Sequence, residues 1–257
     1  MSDALSVESV SAGLKTSFVG RHILYYPALG STMDAARKEA QVHAPEGTVV
    51  LAEEQTAGRG RLRRNWLTPR GSCLAFSLIL YPDSSRLPYL IMVASLAVLR
   101  GIEAVTGIKP QIKWPNDVLI RGKKVSGILI ENELRGSEVA YAVIGIGVNV
   151  NLELAGVPEI SQVATSLSAE LGRPVSREKI LSSLLNEFER LYMEPSETVY
   201  RAWRVSLITL GKRVRATTPD GVYEGVAESV AADGSLLIRS ARGELTRVVA
   251  GDVTLRE

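Results

Sequence analysis

Three strand-like segments follow one another in the middle of the chain, and only short turns separate them. Residues 118–120, 124–133 and 140–150 are rich in valine and isoleucine, and the turns between them contain Gly122 and Gly136. A strand that returns after so short a connection pairs antiparallel with the one before it, because a parallel pair needs a crossover of a dozen or more residues. The sequence therefore predicts an antiparallel sheet at the centre of the fold.

Helical patterns lie on both sides of this region. Ser31 or Thr32 can cap a helix that runs to about Gln41. Residues 87–105 have the length and apolar content of a buried helix, and residues 177–194 place large apolar side chains at spacings of three and four. Further short strands are expected at residues 23–26, 48–52, 73–80 and 111–114.

The composition changes at Gly211. From there to residue 257, short alternating stretches are separated by hairpin-type turn dipeptides, which are Asp220-Gly221, Asp233-Gly234 and Arg242-Gly243. This pattern predicts a small β-barrel domain at residues 211–257. Residues 1–20 are weakly patterned and are expected to form a loose arm or a short helix, which leaves residues 21–210 as the main domain.

Composition excludes several classes of protein. The 257 residues are 46% hydrophobic, and 30 basic side chains against 28 acidic ones give a net charge of +2. So balanced a charge argues against a chain specialised for binding nucleic acid or membrane surfaces. The sequence contains no run of about 18 apolar residues, so no membrane span is predicted. Residues 1–18 do not resemble a secretory signal. One cysteine excludes an internal disulfide and fits a reducing compartment, so we expect a cytoplasmic protein.

A loop at residues 58–66, GRGRLRRNW, combines glycine with dense positive charge. Its four arginines are Arg59, Arg61, Arg63 and Arg64. Glycine lets the backbone approach a ligand closely, and guanidinium groups bind carboxylate or phosphate bidentately. The pattern is typical of an anion clamp, with Trp66 as a flat surface for a base. A solvated basic loop or a nucleic-acid contact is the alternative, and the glycine spacing matches neither a P-loop nor a dinucleotide fingerprint.

The segment KWPND at residues 113–117 is followed by Lys124 at the entry of the next strand. Pro115 marks an edge or a break in the sheet, because proline cannot donate to a ladder. Asp117 places a carboxylate near this break, where it can hold a lysine ammonium in place or help to bind Mg²⁺. A packing corner beside a hairpin of solvated lysines is the alternative interpretation.

Other reactive residue types give weaker signals. Cys73 is interpreted as a core thiol, because no histidine lies near it in sequence. His22 and His43 lack partners at metal-ligand spacing, so no metal site is assigned. Glycines inside the strand words SGILIE and GIGVNVN indicate close approach of a ligand or of another backbone.

The words GSTMD, EEQTAGRGRLRRNW, IKWPNDVLIRGKKVSGILIE and IGIGVNVN, in this order, resemble biotin protein ligases. The resemblance runs from about Tyr25 to the carboxyl terminus. It implies an α+β fold, in which a mixed α/β sheet catalytic domain related to class II aminoacyl-tRNA synthetases precedes a small SH3-like β-barrel. The implied reaction joins biotin and ATP into biotinyl-5′-AMP and then transfers biotin to one lysine of a biotin carboxyl carrier protein.

The resemblance also implies roles for individual residues. Biotin would be bound by Ser31, Thr32, Met33, Gln55, Gly58, Arg59, Gly60, Arg61, Lys124 and Gly127. ATP would be bound by Arg59, Arg61, Arg64, Trp66, Lys113, Asn116, Lys124 and Asn149. The catalytic residues would be Lys124, Asp117 and Arg61, with Mg²⁺ accompanying ATP on ligands that the sequence does not assign.

Three alternatives stay open beside this one. A lipoate or octanoate ligase or transferase shares a related catalytic fold, a nucleic-acid-binding module could use the arginine loop, and a biotin or biotinyl-AMP sensor would need no chemistry. Two departures from the family also matter. Arg63 stands where some relatives have glycine, and fewer than about 25 residues precede the first core strand, which is too short for the winged-helix domain of repressor-ligases. We therefore expect no operator binding and no membrane contact, with either a monomer or a homodimer.

The loop at residues 56–71 is expected to be mobile without ligand and ordered over biotinyl-AMP, because its arginines should repel one another until an anion arrives. Arg61→Gly is expected to release the adenylate faster.

Overall fold

A mixed sheet of seven strands organises the main domain in this computed structural model, which describes residues 4–154 and 158–256. Within those residues the strands lie side by side in the order β1 (Ile23–Tyr26), β2 (Val49–Ala52), β3 (Cys73–Leu80), β7 (Glu138–Asn149), β6 (Lys123–Arg135), β5 (Asp117–Ile120) and β4 (Gln111–Lys113). Only β1 and β2 are parallel among these pairs.

The predicted antiparallel hairpins are confirmed. The β5–β6 turn places Arg121 and Gly122 at φ 49° and φ 80°, and the β6–β7 turn places Gly136 at φ 65°. Positive φ values match the right-handed twist of the two flanking strands, and glycine adopts them at the lowest cost. These turns set the register in which Asp117 lies opposite Gly127 and Gly127 lies opposite Gly147.

The described residues form seven α-helices, and the three predicted at residues 31–41, 87–105 and 177–194 are among them. The seven helices are α1 (Val7–Ala12), α2 (Thr32–Gln41), α3 (Leu90–Thr106), α4 (Pro158–Ser161), α5 (Leu167–Leu171), α6 (Arg177–Tyr192) and α7 (Ser196–Ser206). Residues 87–106, which contain α3, are long and apolar enough to cross a membrane by composition, yet 56% of that segment's most apolar window is buried within the protein. This helix packs along α6 and so serves as the central core helix.

The amino-terminal segment is a short helix attached to the main domain rather than a loose arm. Glu189 of α6 accepts backbone N–H bonds from Ser17, Phe18 and Val19, at 2.6 to 2.9 Å. Leu5 donates its backbone N–H to the buried Glu53 carboxylate at 3.0 Å.

The carboxyl-terminal region forms a second sheet of five antiparallel strands within the described residues. These strands are β8 (Arg213–Thr218), β9 (Gly221–Val230), β10 (Leu236–Arg239), β11 (Leu245–Val248) and β12 (Asp252–Arg256), in the order β11-β10-β9-β8-β12. Gly221, Gly234 and Gly243 adopt positive φ at the predicted turns. The architecture is consistent with an SH3-like domain.

The two sheets share a hydrophobic core. The buried side chains of Val214, Ala216 and Ile238 belong to the same cluster as those of α3 and β3. Trp114 crosses the junction, because its backbone N–H donates to Thr209 Oγ1 at 2.9 Å and its indole Nε1 donates to the Gly234 carbonyl at 2.8 Å. The small sheet is thereby fixed directly behind the KWPND segment.

Candidate functional site

A cavity of about 210 Å³ lies between the larger sheet and the arginine-glycine loop. The middle of β3 supplies Ala75 and Phe76 to its wall, while β6 and β7 supply backbone and small side chains. Concave sites of this kind, apolar with a few converging polar groups, are the usual form of small-molecule pockets.

One end of the cavity is built from a hydrogen-bond network at the start of α2. Gln55 Oε1 accepts from the backbone N–H of Thr32 at 2.8 Å, and Gln55 Nε2 donates to Thr68 Oγ1 at 3.2 Å. Ser77 Oγ, which is fully buried, donates to Thr32 Oγ1 at 2.9 Å. Ser31 Oγ is also buried and has no hydrogen-bond partner among the described residues. A buried hydroxyl without a partner is costly, so this atom is available for a polar ligand.

Strand glycines let Trp66 of the loop lie against the sheet. A Cβ atom at Gly147 would overlap the Trp66 indole ring, and one at Gly127 would lie 3.1 Å from Trp66 Cζ3 and 3.0 Å from Lys124 Nζ. The interior glycines flagged in the strand words are therefore explained by close approach of a side chain. Gly145 has the same relation to Met33, whose Sδ would lie 2.5 Å from an added Cβ.

Lys124 and Asp117 form an ion pair at the cavity wall, with Nζ 2.6 Å from Oδ1. Their side chains are 33% and 22% exposed, so ligand and solvent can both reach them. The β5–β6 pairing has a register shift between Val118 and Leu119, and this shift lies between the positions of Asp117 and Lys124 in the pair. Bulges re-aim side chains in this way. Lys124 Nζ also lies 5.5 Å from the Trp66 ring centroid.

Three of the loop arginines already have partners in the protein, and these partners offset part of the repulsion that was expected among the arginines. Arg59 contacts the Asp34 carboxylate at 2.6 Å. Arg61 donates to Asn116 Oδ1 at 2.7 Å and to the Gly251 carbonyl at 2.7 Å. Arg64 pairs with Asp252. Burial lowers the pKa of Arg61 from its usual value, and the partial desolvation strengthens any bond it makes to an anion.

Two asparagines line the cavity with their side chains already hydrogen-bonded. Asn116 Nδ2 donates to the Ile128 carbonyl at 2.7 Å, and Asn149 Nδ2 donates to the Thr165 carbonyl at 3.1 Å. Both residues are buried. Cys73 lies beside Asn149, and burial raises the pKa of its thiol to about 11, which agrees with its interpretation as an inert core residue.

The structure brings most of the predicted site residues to one cavity. Those on its wall are Ser31, Thr32, Met33, Gln55, Arg59, Gly60, Arg61, Arg64, Trp66, Asn116, Asp117, Lys124, Gly127 and Asn149. Gly58 and Lys113 are not on the wall. Gly58 is the first residue of the loop, and a Cβ there would overlap the carbonyl of Trp66 at the loop's other end. Lys113 lies opposite Asp117 in the β4–β5 pair.

Several wall residues were not predicted from the sequence. They include Leu62, Ile160, Val163, Ala164 and Asp252. Residues 160–164 reach the cavity because the backbone of Lys124 accepts from Thr165 N–H and donates to the Val163 carbonyl, each at 2.8 Å. Asp252 comes from the small sheet. No local pattern marks either segment, because only tertiary packing brings them to the cavity.

Comparison with known proteins places these residues in a family context. Residues 25–149 match the biotin/lipoate A/B protein ligase family, and residues 209–256 match the biotin protein ligase C-terminal domain. The bifunctional ligase/repressor BirA of Bacillus subtilis is 38% identical over 258 residues, covering 98% of this chain and 79% of that protein. The biotin–[acetyl-CoA-carboxylase] ligase of Paracoccus denitrificans is 35% identical over 227 residues, covering 82% and 92%.

A solved structure has the same fold. The biotin protein ligase from Aquifex aeolicus, in complex with biotin and ATP, superposes with a TM-score of 0.75 at 29% identity. The match covers 92% of this chain and 99% of that one.

Proposed function

The chain belongs to the biotin protein ligase family, and from that membership we propose that it activates biotin with ATP and transfers it to a lysine of a biotin carboxyl carrier protein. One observation carries the proposal: a single cavity has an unsatisfied polar end at Ser31 and also the Lys124–Asp117 pair with the loop arginines. A ligand with a neutral polar head and a reactive carboxylate fits both features.

Biotin binding is assigned to the Ser31 end of the cavity. The Ser31 hydroxyl is left for the ureido ring, while Gln55 keeps Thr32 oriented at the start of α2. Met33 and the apolar wall of β3 suit the rest of the molecule. The full biotin set retains the residues expected from the sequence, with Gly58 allowing the two ends of the loop to approach closely.

The first step brings a carboxylate against a polyanionic nucleotide, so their repulsion has to be offset by fixed cations. Lys124 of β6 and the loop residues Arg59 and Arg61 supply these charges at the cavity wall. Their stabilisation of the charge that develops at the α-phosphate favours attack by the biotin carboxylate and departure of pyrophosphate. The proposed nucleotide site is completed by Trp66, Arg64, Asn116 and Asn149. Lys113, which is not on the cavity wall, stays assigned to this site as a more remote positive charge.

The second step needs a neutral acceptor amine. Asp117 is the carboxylate on the cavity wall next to Lys124, and its pairing at 2.6 Å fixes its position. It can orient the incoming lysine and accept its proton as the amine attacks the acyl carbon, while AMP leaves.

Mg²⁺ is proposed to enter with ATP as part of the substrate. Magnesium in nucleotide sites is commonly held by one or two carboxylates together with phosphate oxygens. Asp117 and Asp252 are the carboxylates on the cavity wall, and no group of three or more potential ligands occurs among the described residues. This sparse donor set fits an ion that takes most of its ligands from phosphate and water.

The division into an arm at residues 1–20, a catalytic domain at 21–210 and a small β domain at 211–257 is retained as a proposal, as is a cytoplasmic location. The carrier protein is the proposed partner, by analogy with the acetyl-CoA-carboxylase ligases among the relatives.

Isotope exchange between ATP and pyrophosphate tests the function. We expect exchange that depends on biotin, followed by biotin labelling of a purified carrier domain but not of its Lys→Arg variant. Lipoate and octanoate serve as competing acids, since the family match includes lipoate ligases. Exchange with lipoate or octanoate in place of biotin would show that the related-fold alternative is correct.

A further inference from the structure

The small sheet contributes directly to the wall of the cavity. Asp252 is the first residue of β12 and lines the cavity, and the Gly251 carbonyl immediately precedes it. The proposed reaction steps draw their charged groups from the larger sheet and the loop, and Asp252 is assigned only as a carboxylate that Mg²⁺ could use.

Both groups bind loop arginines. The Gly251 carbonyl accepts from Arg61 at 2.7 Å, and the Asp252 carboxylate pairs with Arg64. Gly251 is buried, and an added Cβ there would lie 2.9 Å from the Thr217 carbonyl of β8. The acceptors are therefore held by the packing of the small sheet, whereas the arginines lie on a loop.

The loop between these two contacts has a costly backbone conformation. Leu62 has φ 54° and ψ 32°, which is the left-handed region, and its side chain is 63% exposed. A leucine stays in that region only where its surroundings enforce it. Burial of the Leu62 side chain offers little compensation. The loop is held in this shape by backbone bonds, among them Gly60 N–H to the Arg64 carbonyl at 2.8 Å, and by the side-chain contacts of Arg61 and Arg64.

We infer that Asp252 is a positioning residue for ATP, which it serves by holding Arg64 at the cavity. This inference rests on the proposed function. Arginine carries five N–H donors, so a guanidinium that gives Nη2 to Asp252 keeps others for phosphate oxygens. A cation placed before the nucleotide arrives loses less conformational entropy on binding than one on a free loop.

Steady-state exchange assays on Asp252→Asn test the inference in the full-length chain. We expect the KM for ATP to rise about fivefold, which corresponds to about 1 kcal/mol and is the upper range for a part-exposed ion pair. The Kd for biotin should stay unchanged, because within the described residues neither Ser31 nor Gln55 forms a hydrogen bond with Arg64 or Asp252. Asp252→Glu should recover most of the loss, since it restores the charge.

A double-mutant cycle tests whether Asp252 acts through Arg64. In an Arg64→Ala background, Asp252→Asn should have no further effect on the KM for ATP. Glu228→Gln is the matched control, because Glu228 pairs with Arg239 elsewhere in the same sheet, and its KM should equal that of the unaltered chain.

The outcomes separate the two proposals. An unaltered chain without biotin-dependent exchange contradicts the proposed function. If that chain is active, an unchanged or lowered KM for ATP in Asp252→Asn overturns the role of Asp252 and leaves the proposed function standing. The same conclusion follows if Asp252→Asn raises the KM for ATP equally in the Arg64 and Arg64→Ala backgrounds.

Discussion

At the scale of single residues, charge placement decides both chemistry and stability. Lys124 and Asp117 were singled out as candidates in the local sequence, because lysine and aspartate beside a proline break and a hairpin are conspicuous, and the family resemblance supplied their proposed roles. Asp252 and the buried Glu53 were not. Nothing in LAEEQ distinguishes Glu53, which is fully buried, from its exposed-facing neighbour Glu54, since the difference arises from packing against α6.

Lys124→Ala is expected to abolish most of the adenylation activity. The substitution removes a cation from the cavity wall where two anionic reactants meet, a loss typically worth about 2.7–4 kcal/mol, or roughly 100- to 1000-fold in rate. Biotin-dependent ATP–pyrophosphate exchange measures it. Lys123→Ala is the control, because Lys123 is exposed and bonds the Ser161 carbonyl. Near-normal exchange in Lys124→Ala would refute the role.

Glu53→Gln is expected to destabilise the fold at neutral pH. Glu53 Oε1 lies 2.6 Å from Arg177, and the carboxylate also accepts from the N–H groups of Leu5 and Gly71. Burial by itself raises the pKa of Glu53, but these bonds offset it and leave the pKa below the usual value. Removing one charge from a buried pair costs about 3 kcal/mol.

The pH dependence of this effect has a definite sign. A lowered pKa stabilises the fold fully above the ordinary carboxyl pKa near 4.5, and this contribution is lost as the pH falls through the folded-state value. Urea titrations at pH 7 and pH 3 should therefore show a larger difference between the variant and the unaltered chain at pH 7. Glu197→Gln, in a surface pair with Arg201, should change stability by less than about 0.5 kcal/mol. An equal difference at both pH values would contradict the assignment.

At the scale of elements, the sequence was most informative where periodicity and turns are local. The hairpins from β5 to β7 and the helices α3 and α6 follow from turn chemistry and apolar spacing. The loop at residues 58–66 was recognised by composition, but its pairing was not, because Asp34, Asn116 and Asp252 are remote in sequence. Ordering of residues 56–71 by the adenylate stays a prediction.

Gly147→Ala is expected to impair ATP use, because an added Cβ would overlap the Trp66 ring. Moving a binding group by about 1 Å can cost on the order of 100-fold in rate, so kcat/KM for ATP should fall on that order in the exchange assay. Gly30→Ala is the control, since no atom lies within 4 Å of its added Cβ. Wild-type kcat/KM in Gly147→Ala would show that Trp66 is dispensable.

At the scale of the whole molecule, the two sheets behave as one unit because their core is continuous. The turn pattern after Gly211 correctly indicated a small β domain, whereas the burial of Trp114 against Gly234 could not be foreseen, since it joins residues 120 positions apart. We expect calorimetry of the full-length chain to show a single cooperative transition.

Trp114→Phe tests the junction. It removes the bond from Nε1 to the Gly234 carbonyl, a loss of about 1 kcal/mol, which should lower Tm by about 2–4 °C in a chain of this size. Trp203→Phe is the matched control, because Trp203 is buried beside the same turn but its Nε1 has no hydrogen-bond partner among the described residues. Equal Tm changes in the two variants would mean that the junction bond contributes nothing.

Glu53 also connects two parts of the chain that are far apart in sequence, the amino-terminal segment and the segment before β3. Its carboxylate accepts from the N–H of Leu5 in the amino-terminal segment and from the N–H of Gly71, which lies between the loop at residues 58–66 and β3. A fusion partner or affinity tag that displaces Leu5 would therefore remove one of the bonds that hold this carboxylate, which also accepts from Gly71. A disturbance at the amino terminus can therefore reach the segment that follows the loop at residues 58–66 by way of the Glu53 side chain.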